Sequence, residues 1–181
     1  MSFIGRWLGN AINIALALIF AIVAMQAPAF TRDYAEALLQ VAQDSRRDIE
    51  QRKASARRFY PITAEGDEQV IAALKPFEPS NAETLALSVD RARRLQATYD
   101  KITGTNPLLQ PIAALRDALE DEHGYKTAVL RTLIPTYALH LDFGVAAAAY
   151  GLAGLLTGSF VAQLLTALGR RVGGRRLARE G

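Results

Sequence analysis

The sequence predicts an all-α membrane protein in which two transmembrane helices flank an extracytoplasmic antiparallel helical bundle. Two apolar runs, residues 7–27 and 143–168, contain no Asp, Glu, Lys or Arg. Each is long enough to be a membrane helix, because about 20 apolar residues cross the hydrocarbon core of a bilayer. The charged middle carries apolar residues at helical spacings of three and four and lacks the alternation typical of strands.

The charges beside the apolar runs predict the orientation. Arginines close to a membrane helix are enriched on its cytoplasmic side. Arg6 precedes the first run, and five arginines follow the second, at Arg170, Arg171, Arg175, Arg176 and Arg179. We therefore expect a cytoplasmic head (residues 1–6), a first membrane helix (7–27), a periplasmic helical domain (28–142), a second membrane helix (143–168) and a basic cytoplasmic tail (169–181).

The first apolar run has a second interpretation, as a cleaved signal peptide. Small residues at Ala27 and Ala29 resemble a cleavage site, but Pro28 would hinder cleavage after Ala27. The run is also longer than the apolar core of a typical signal peptide. We expect a retained membrane helix, with Trp7 at the headgroup level of one end.

The first half of the middle predicts two long helices joined by a short one. Residues 30–60 form the first, ended by Pro61, and residues 69–75 form the short helix. A second long helix begins at Ser80, where Glu83 completes a capping box, and ends at Gly104. Basic side chains on the first long helix are interleaved with acids, which favours a solvated face. They are Arg46, Arg47, Arg52, Lys53, Arg57 and Arg58.

The second half of the middle predicts two shorter helices. One begins at Asn106 as N-cap with Pro107 in the first position. Its buried stripe is predicted at helical spacing, at Leu108, Ile112, Leu115 and Leu119. The other covers residues 125–134 and is broken by Pro135, and Asp142 is placed to cap the second membrane helix.

Small residues line one face of the second membrane helix. They recur at spacings of three and four, at Gly144, Ala147, Gly151, Gly154 and Gly158. Such a face lets another helix approach closely enough for backbone packing. It therefore predicts a packing partner, which is either the first membrane helix or a helix of another chain.

Polar residues inside the two apolar runs are few and not ionisable, which argues against a proton or ion relay. Asn13 and Gln163 lie at similar depths if the two helices are antiparallel. We expect them to form an interhelical hydrogen bond. At the membrane edges we expect Trp7 to act as an anchor together with Arg170, Arg171, Arg175 and Arg176, which attract anionic lipid.

The junction after the first membrane helix carries the pattern Gln26, Pro28, Phe30 and Tyr34. It resembles a bacterial membrane-protein family catalogued as domain of unknown function 2937. The resemblance implies an N-terminal membrane helix, a charged helical middle and a glycine-rich C-terminal membrane helix after a proline-containing connector, here residues 135–144. The resemblance implies a bacterial protein with this layout and carries no assigned activity. Together with the arginine-based orientation, it leads us to expect a location in the bacterial inner membrane.

No residue pattern indicates a reaction, a metal or a cofactor. The absence of cysteine excludes thiol nucleophiles and thiolate metal sites, and the nucleophile-elbow, P-loop and dinucleotide-binding patterns are absent. His123 and His140 lack the spacing of a metal site. The acidic residues 120–122 are consecutive, so a helix would point them in different directions. The basic tail is not the basic face of a nucleic-acid-binding domain.

We therefore expect a non-enzymatic protein that serves as a structural or accessory subunit or scaffold. Its expected partners are anionic lipid headgroups at the arginine-rich tail and either another membrane protein or further copies of itself. The alternative is lipid or small-molecule handling at the outer surface of the membrane. That function requires an apolar groove near Tyr137, Leu139 and Leu141.

Overall fold

The computed structural model describes residues 3–138 and 144–177, without the side chains of residues 3–6, 8 and 168–177. The described residues contain no strand, which confirms the all-helical prediction. Their helices are α1 (Phe3–Met25), α2 (Ala27–Phe59), α3 (Asp67–Leu74), α4 (Pro79–Thr103), α5 (Gln110–Leu119), α6 (Tyr125–Leu133), a 3₁₀ turn (Ile134–Thr136) and α7 (Val145–Leu177).

Two of the helices, α1 and α7, are long and apolar enough to cross a membrane. With 23 residues, α1 reaches about 35 Å at a rise of about 1.5 Å per residue, which exceeds the hydrocarbon thickness. The helical backbone of α7 continues beyond residue 168 through part of the basic tail. Asp142, the predicted cap of this helix, lies outside the described residues.

Helices α1 and α2 are separated at Gln26 alone. The Gln26 N–H donates to the Val23 carbonyl at 3.1 Å, and the Phe30 N–H donates to the Gln26 carbonyl at 2.9 Å. Pro28 explains the interruption, because it has no N–H with which to continue the α-helical hydrogen bonding.

The chain divides into two compact units. One contains α1 and α7, and the other is formed by Thr31–Tyr137. This second unit has two apolar clusters along α2 and α4. The cluster at the C-terminal half of α2 and the N-terminal half of α4 includes α3, with Ile49, Val70, Leu74 and Leu85 at its centre.

The other cluster joins the N-terminal half of α2 to the C-terminal half of α4, α5 and α6. Tyr34, Leu38, Leu95 and Ile102 are almost fully buried there. The N-terminal half of each of these two helices thus packs against the C-terminal half of the other. Most apolar residues at helical spacing along these two helices are buried in the clusters, whereas Phe59 is exposed.

Two predicted helix starts are wrong. Helix α4 begins at Pro79, and its N-cap is Glu78 rather than Ser80, because proline is well suited to the first helical position. The residues around Asn106 form a turn, in which the Leu108 N–H donates to the Asn106 side-chain oxygen at 3.0 Å. Helix α5 therefore begins only at Gln110.

Candidate functional site

Small residues of α7 pack directly against α1. Ala147, Gly151, Gly154 and Gly158 are buried on one face of α7. A Cβ added to Gly154 would lie 2.5 Å from the Phe20 carbonyl oxygen. Such a separation is well inside van der Waals contact, so the helices approach this closely only because the side chain is absent.

The glycine face is therefore occupied within the chain. Of the five positions in the predicted face, Gly144 alone is exposed, directly before α7. Its carbonyl accepts a hydrogen bond from the Ala148 N–H at 3.0 Å. The sequence left two possible partners for this face, the first membrane helix and a helix of another chain. In the structure, α1 fills it.

Asn13 and Gln163 lie on the same crevice between α1 and α7. The side-chain oxygen of Asn13 is buried without a hydrogen-bond partner, so it does not accept a hydrogen bond from Gln163. The close contact along the glycine face fixes how α1 and α7 are rotated relative to each other. Both side chains therefore lie beside this contact.

The predicted membrane-edge residues lie near the free ends of α1 and α7. Trp7 is 63% exposed, so its ring is free to contact lipid. Arg170, Arg171, Arg175 and Arg176 lie in the last turns of α7, in the part whose side chains are not described. Their action as anchors stays a prediction.

The residues of the family-like junction mark the passage from α1 to α2. Gln26 separates the helices and is buried, and Pro28 is the second residue of α2. Tyr34 is 1% exposed, and its hydroxyl has no hydrogen-bond partner. Burial, together with the nearby carboxylates of Asp117 and Asp121, raises the pKa of Tyr34 far above its ordinary value.

Asp117 is a buried, charged residue of α5 that forms ion pairs with two neighbouring helices. Its carboxylate lies 2.9 Å from the Lys101 ammonium of α4 and 2.6 Å from the Lys126 ammonium of α6. Burial opposes ionisation of Asp117, but the two lysines outweigh it and lower its pKa below the ordinary value. The sequence prediction missed this residue, although Asp117 lies one turn from Ala114 on a shared helix face.

The predicted buried stripe of α5 is wrong. Ala114 and Asp117 are buried, whereas the apolar residues of the stripe are exposed. The ion pairs of Asp117 turn the opposite side of α5 toward solvent. The exposed side of α5 carries Ile112, Leu115 and Leu119, and the turn before it carries Leu108 and Leu109. We call these five residues the α5 stripe.

An ion-pair network around Asp67 corrects the solvated-face interpretation for Lys53, which is buried, whereas Arg46, Arg47 and Arg58 are exposed as expected. Lys53 is only 5% exposed, and its ammonium lies 2.9 Å from Asp67. Arg46 lies 2.7 Å from the same carboxylate. Burial opposes ionisation of Asp67, but these donors lower its pKa below the ordinary value. Arg57 donates to the Ala64 carbonyl at 2.9 Å.

Within residues 3–138 and 144–177, no three His, Cys, Asp or Glu side chains are grouped to hold a metal. Asp121, from the acidic run, accepts hydrogen bonds from the N–H and the hydroxyl of Thr127, each at 2.8 Å, and so satisfies a free N–H in the first turn of α6. His123 stacks on Tyr125 at 5.7 Å between ring centroids. His140, Leu139 and Leu141 lie outside the described residues.

Fold and surfaces together define a small all-helical protein with a glycine-packed pair of apolar helices and a separate, ion-paired helical unit. The chain belongs to a family described as protein of unknown function (DUF2937), whose profile matches residues 8–175. This match confirms the resemblance seen at the junction. No curated protein and no solved structure matches the chain significantly.

Proposed function

We propose that this chain is a non-enzymatic accessory protein of the bacterial inner membrane, which binds another protein through the α5 stripe. Helices α1 and α7 are its membrane anchor, both termini are cytoplasmic, and the antiparallel helical domain of Thr31–Tyr137 is periplasmic. The arginines that flank the apolar runs support this orientation.

The observation that carries the proposal is the exposure of the α5 stripe. Leu109, Ile112, Leu115 and Leu119 are between 52% and 80% exposed on a single short segment. A contiguous apolar patch of this kind marks an interaction surface more often than isolated apolar residues do. Helical spacing suits it to receive the apolar face of a partner helix.

Charge beside the α5 stripe favours one class of partner. The acidic residues Glu120, Asp121 and Glu122 directly follow Leu119. An anionic membrane surface would be repelled there, whereas a helix with an apolar face and basic residues at one end would be attracted. The partner of the α5 stripe is therefore an amphipathic protein helix with a basic end.

The test is site-specific photo-crosslinking of the full-length protein in native membranes. A photoreactive side chain at Leu115 is expected to capture one discrete protein, whereas the same side chain at Leu87 on α4 is expected to capture none. The two leucines are a matched pair, because they are 63% and 57% exposed. Capture of lipid alone at Leu115 would contradict the proposal.

A reconstitution with the captured protein completes the test. Ile112→Ser with Leu115→Ser is expected to abolish binding of the purified partner, and Leu87→Ser is expected to preserve it. Because all three side chains are exposed, we expect each change to alter the unfolding free energy by less than about 0.5 kcal/mol. Unchanged binding by the double variant would also contradict the proposal.

A further inference from the structure

A partly polar pocket lies between the C-terminal end of α2 and the start of α4. Its volume is about 270 Å³, and its lining combines aromatic rings with polar side chains. The lining residues of α2 recur at helical spacing and therefore share one face of the helix. They include Asp48, Gln51, Arg52, Ser55 and Phe59. The residues of the α5 stripe do not line this pocket.

Two aromatic rings form the apolar part of the pocket. Phe59, the last residue of α2, is 75% exposed. The Arg58 guanidinium lies 5.9 Å from the centre of this ring and covers one of its faces at most. Tyr60 is held in place, because its ring stacks on Phe77 at 5.0 Å between centroids and its hydroxyl donates to Glu78. An exposed ring beside a fixed one offers a platform for a ligand with a flat apolar face.

The charged groups of the pocket already have partners within the chain. Arg52 lies 2.8 Å from the Asp48 carboxylate. Glu78 accepts hydrogen bonds from the Tyr60 hydroxyl and, at 2.7 Å, from the Asn81 amide. A cationic ligand would meet the Arg52 guanidinium, and an anionic ligand would meet two carboxylates. The pocket therefore favours an uncharged ligand.

Polar side chains around the rings are suited to a ligand with several hydroxyls. Gln51 and Ser55 on α2 and Asn81 on α4 are exposed and line the pocket. A carboxamide holds a donor and an acceptor in one plane, and a hydroxyl both donates and accepts. Small-molecule sites have volumes of about 300–1,000 Å³. The pocket lies just below this range, so it suits one ring of a longer molecule.

We propose that this pocket binds a saccharide, with one pyranose ring on Phe59 and its hydroxyls hydrogen-bonded to Gln51 and Asn81. A pyranose ring is uncharged and has C–H groups on its faces and hydroxyls around its edge. The C–H groups suit the electron-rich face of an aromatic ring, and the hydroxyls suit the carboxamides. This inference goes beyond the proposed function and does not depend on the α5 stripe.

A peptide is a poorer match to the same pocket. An extended peptide binds to a free strand edge, and a helical peptide binds to an apolar groove. The pocket lies between two helices, so it offers no strand edge, and polar side chains form most of its lining. A saccharide needs neither feature, because its hydroxyls and its C–H faces are presented together.

The test is isothermal titration calorimetry of the purified full-length protein in a detergent without a sugar headgroup. The probes are triacetylchitotriose, a chain of N-acetylated amino sugars, and cellotriose, the corresponding glucose chain. At least one is expected to bind, and the tighter of the two identifies the acetylated or the unmodified sugar as the preferred unit. Tetramethylammonium chloride, the cationic comparison, is expected not to bind. Binding of neither saccharide would overturn the proposal, whether or not tetramethylammonium binds.

Variants of exposed residues locate the bound saccharide. Phe59→Ala is expected to weaken binding roughly tenfold through the lost stacking, and Phe59→Trp is expected to keep it. Gln51→Ala is expected to weaken binding several-fold. The controls are Leu87→Ala, an exposed apolar residue of α4, and Gln43→Ala, an exposed carboxamide of α2, and both lie outside the pocket. Parental affinity in both Phe59→Ala and Gln51→Ala would overturn the assignment of the site.

Discussion

Gly158 on α7 lies so close to Ala17 on α1 that a Cβ on the glycine would be 2.8 Å from the Ala17 Cα. The neighbouring glycine, Gly154, is closer still to the α1 backbone, at 2.5 Å from the Phe20 carbonyl oxygen. Neither obstacle is a flexible side chain, so a larger residue on α7 can be accommodated only if the helices move apart.

We predict that Gly154→Ala and Gly158→Ala each lower the unfolding free energy in detergent by about 1–3 kcal/mol, the usual range for overpacking. Thermal unfolding followed by circular dichroism measures the change. Gly9→Ala is the control on α1 and is expected to keep or raise stability, because nothing lies within 4 Å of its added Cβ and alanine is the better helix former. Full stability of both α7 variants would show that the seam is not close-packed.

Removal of the buried charge on α5 should destabilise the second unit. Asp117→Asn leaves the ammonium of Lys126, whose side chain is 15% exposed, without its counter-charge. Because Lys101 is half exposed and can regain water, we expect a loss of about 2 kcal/mol rather than the full penalty of a broken buried pair. Chemical denaturation of the full chain measures it.

Glu120→Gln is the control for this prediction. Glu120 pairs with Arg116 at 2.9 Å, but the two side chains are 53% and 77% exposed. An exposed pair contributes little, so we expect a change of less than about 0.5 kcal/mol. Equal losses from Asp117→Asn and Glu120→Gln would contradict the assignment of Asp117 as the residue that positions α5.

Acid should weaken the second unit through Asp67 and Asp117. Both have pKa values below the ordinary value in the folded chain. Their stabilisation is therefore fully present above the unfolded pKa, about 3.9, and is lost as the pH falls through the folded pKa. We expect an unfolding temperature that is level near neutral pH and declines below about pH 4.

The variant with Asp67→Asn and Asp117→Asn provides the comparison for the acid prediction. It should be less stable at neutral pH and should show a shallower decline in acid, because the two linked protonations are removed. A parent chain and a variant that decline in parallel would assign the acid sensitivity to other carboxylates.

The proposed orientation predicts from which side of the membrane a labelling reagent can reach each segment of the chain. Because the natural chain has no cysteine, single-cysteine variants give a clean background. In intact spheroplasts, an impermeant maleimide is expected to react with Ser55→Cys on the exposed side of α2 and to reach Arg175→Cys only after permeabilisation. The reverse labelling pattern would place the helical domain in the cytoplasm.

The spacing of apolar residues predicted most of the helices. The principal error of that prediction is the buried face assigned to α5, and buried charges account for it. The seams of α2 and α4 were predictable because their apolar residues repeat over several turns, and the longer the repeat, the fewer the competing interpretations. Helix α5 has only ten residues, and its leucines predicted a buried face. Asp117 reverses that face through partners from α4 and α6 that are distant in sequence.

The sequence by itself determined the helical class, the two apolar helices and the small-residue face of α7, because length, composition and spacing act locally along a helix. Tertiary structure alone decided that α1 fills this face, that the Asn13 side-chain oxygen is buried without a hydrogen-bond partner, and that the α5 stripe is exposed. The physical reason is that backbone approach and buried ion pairs depend on distances between residues far apart in the chain.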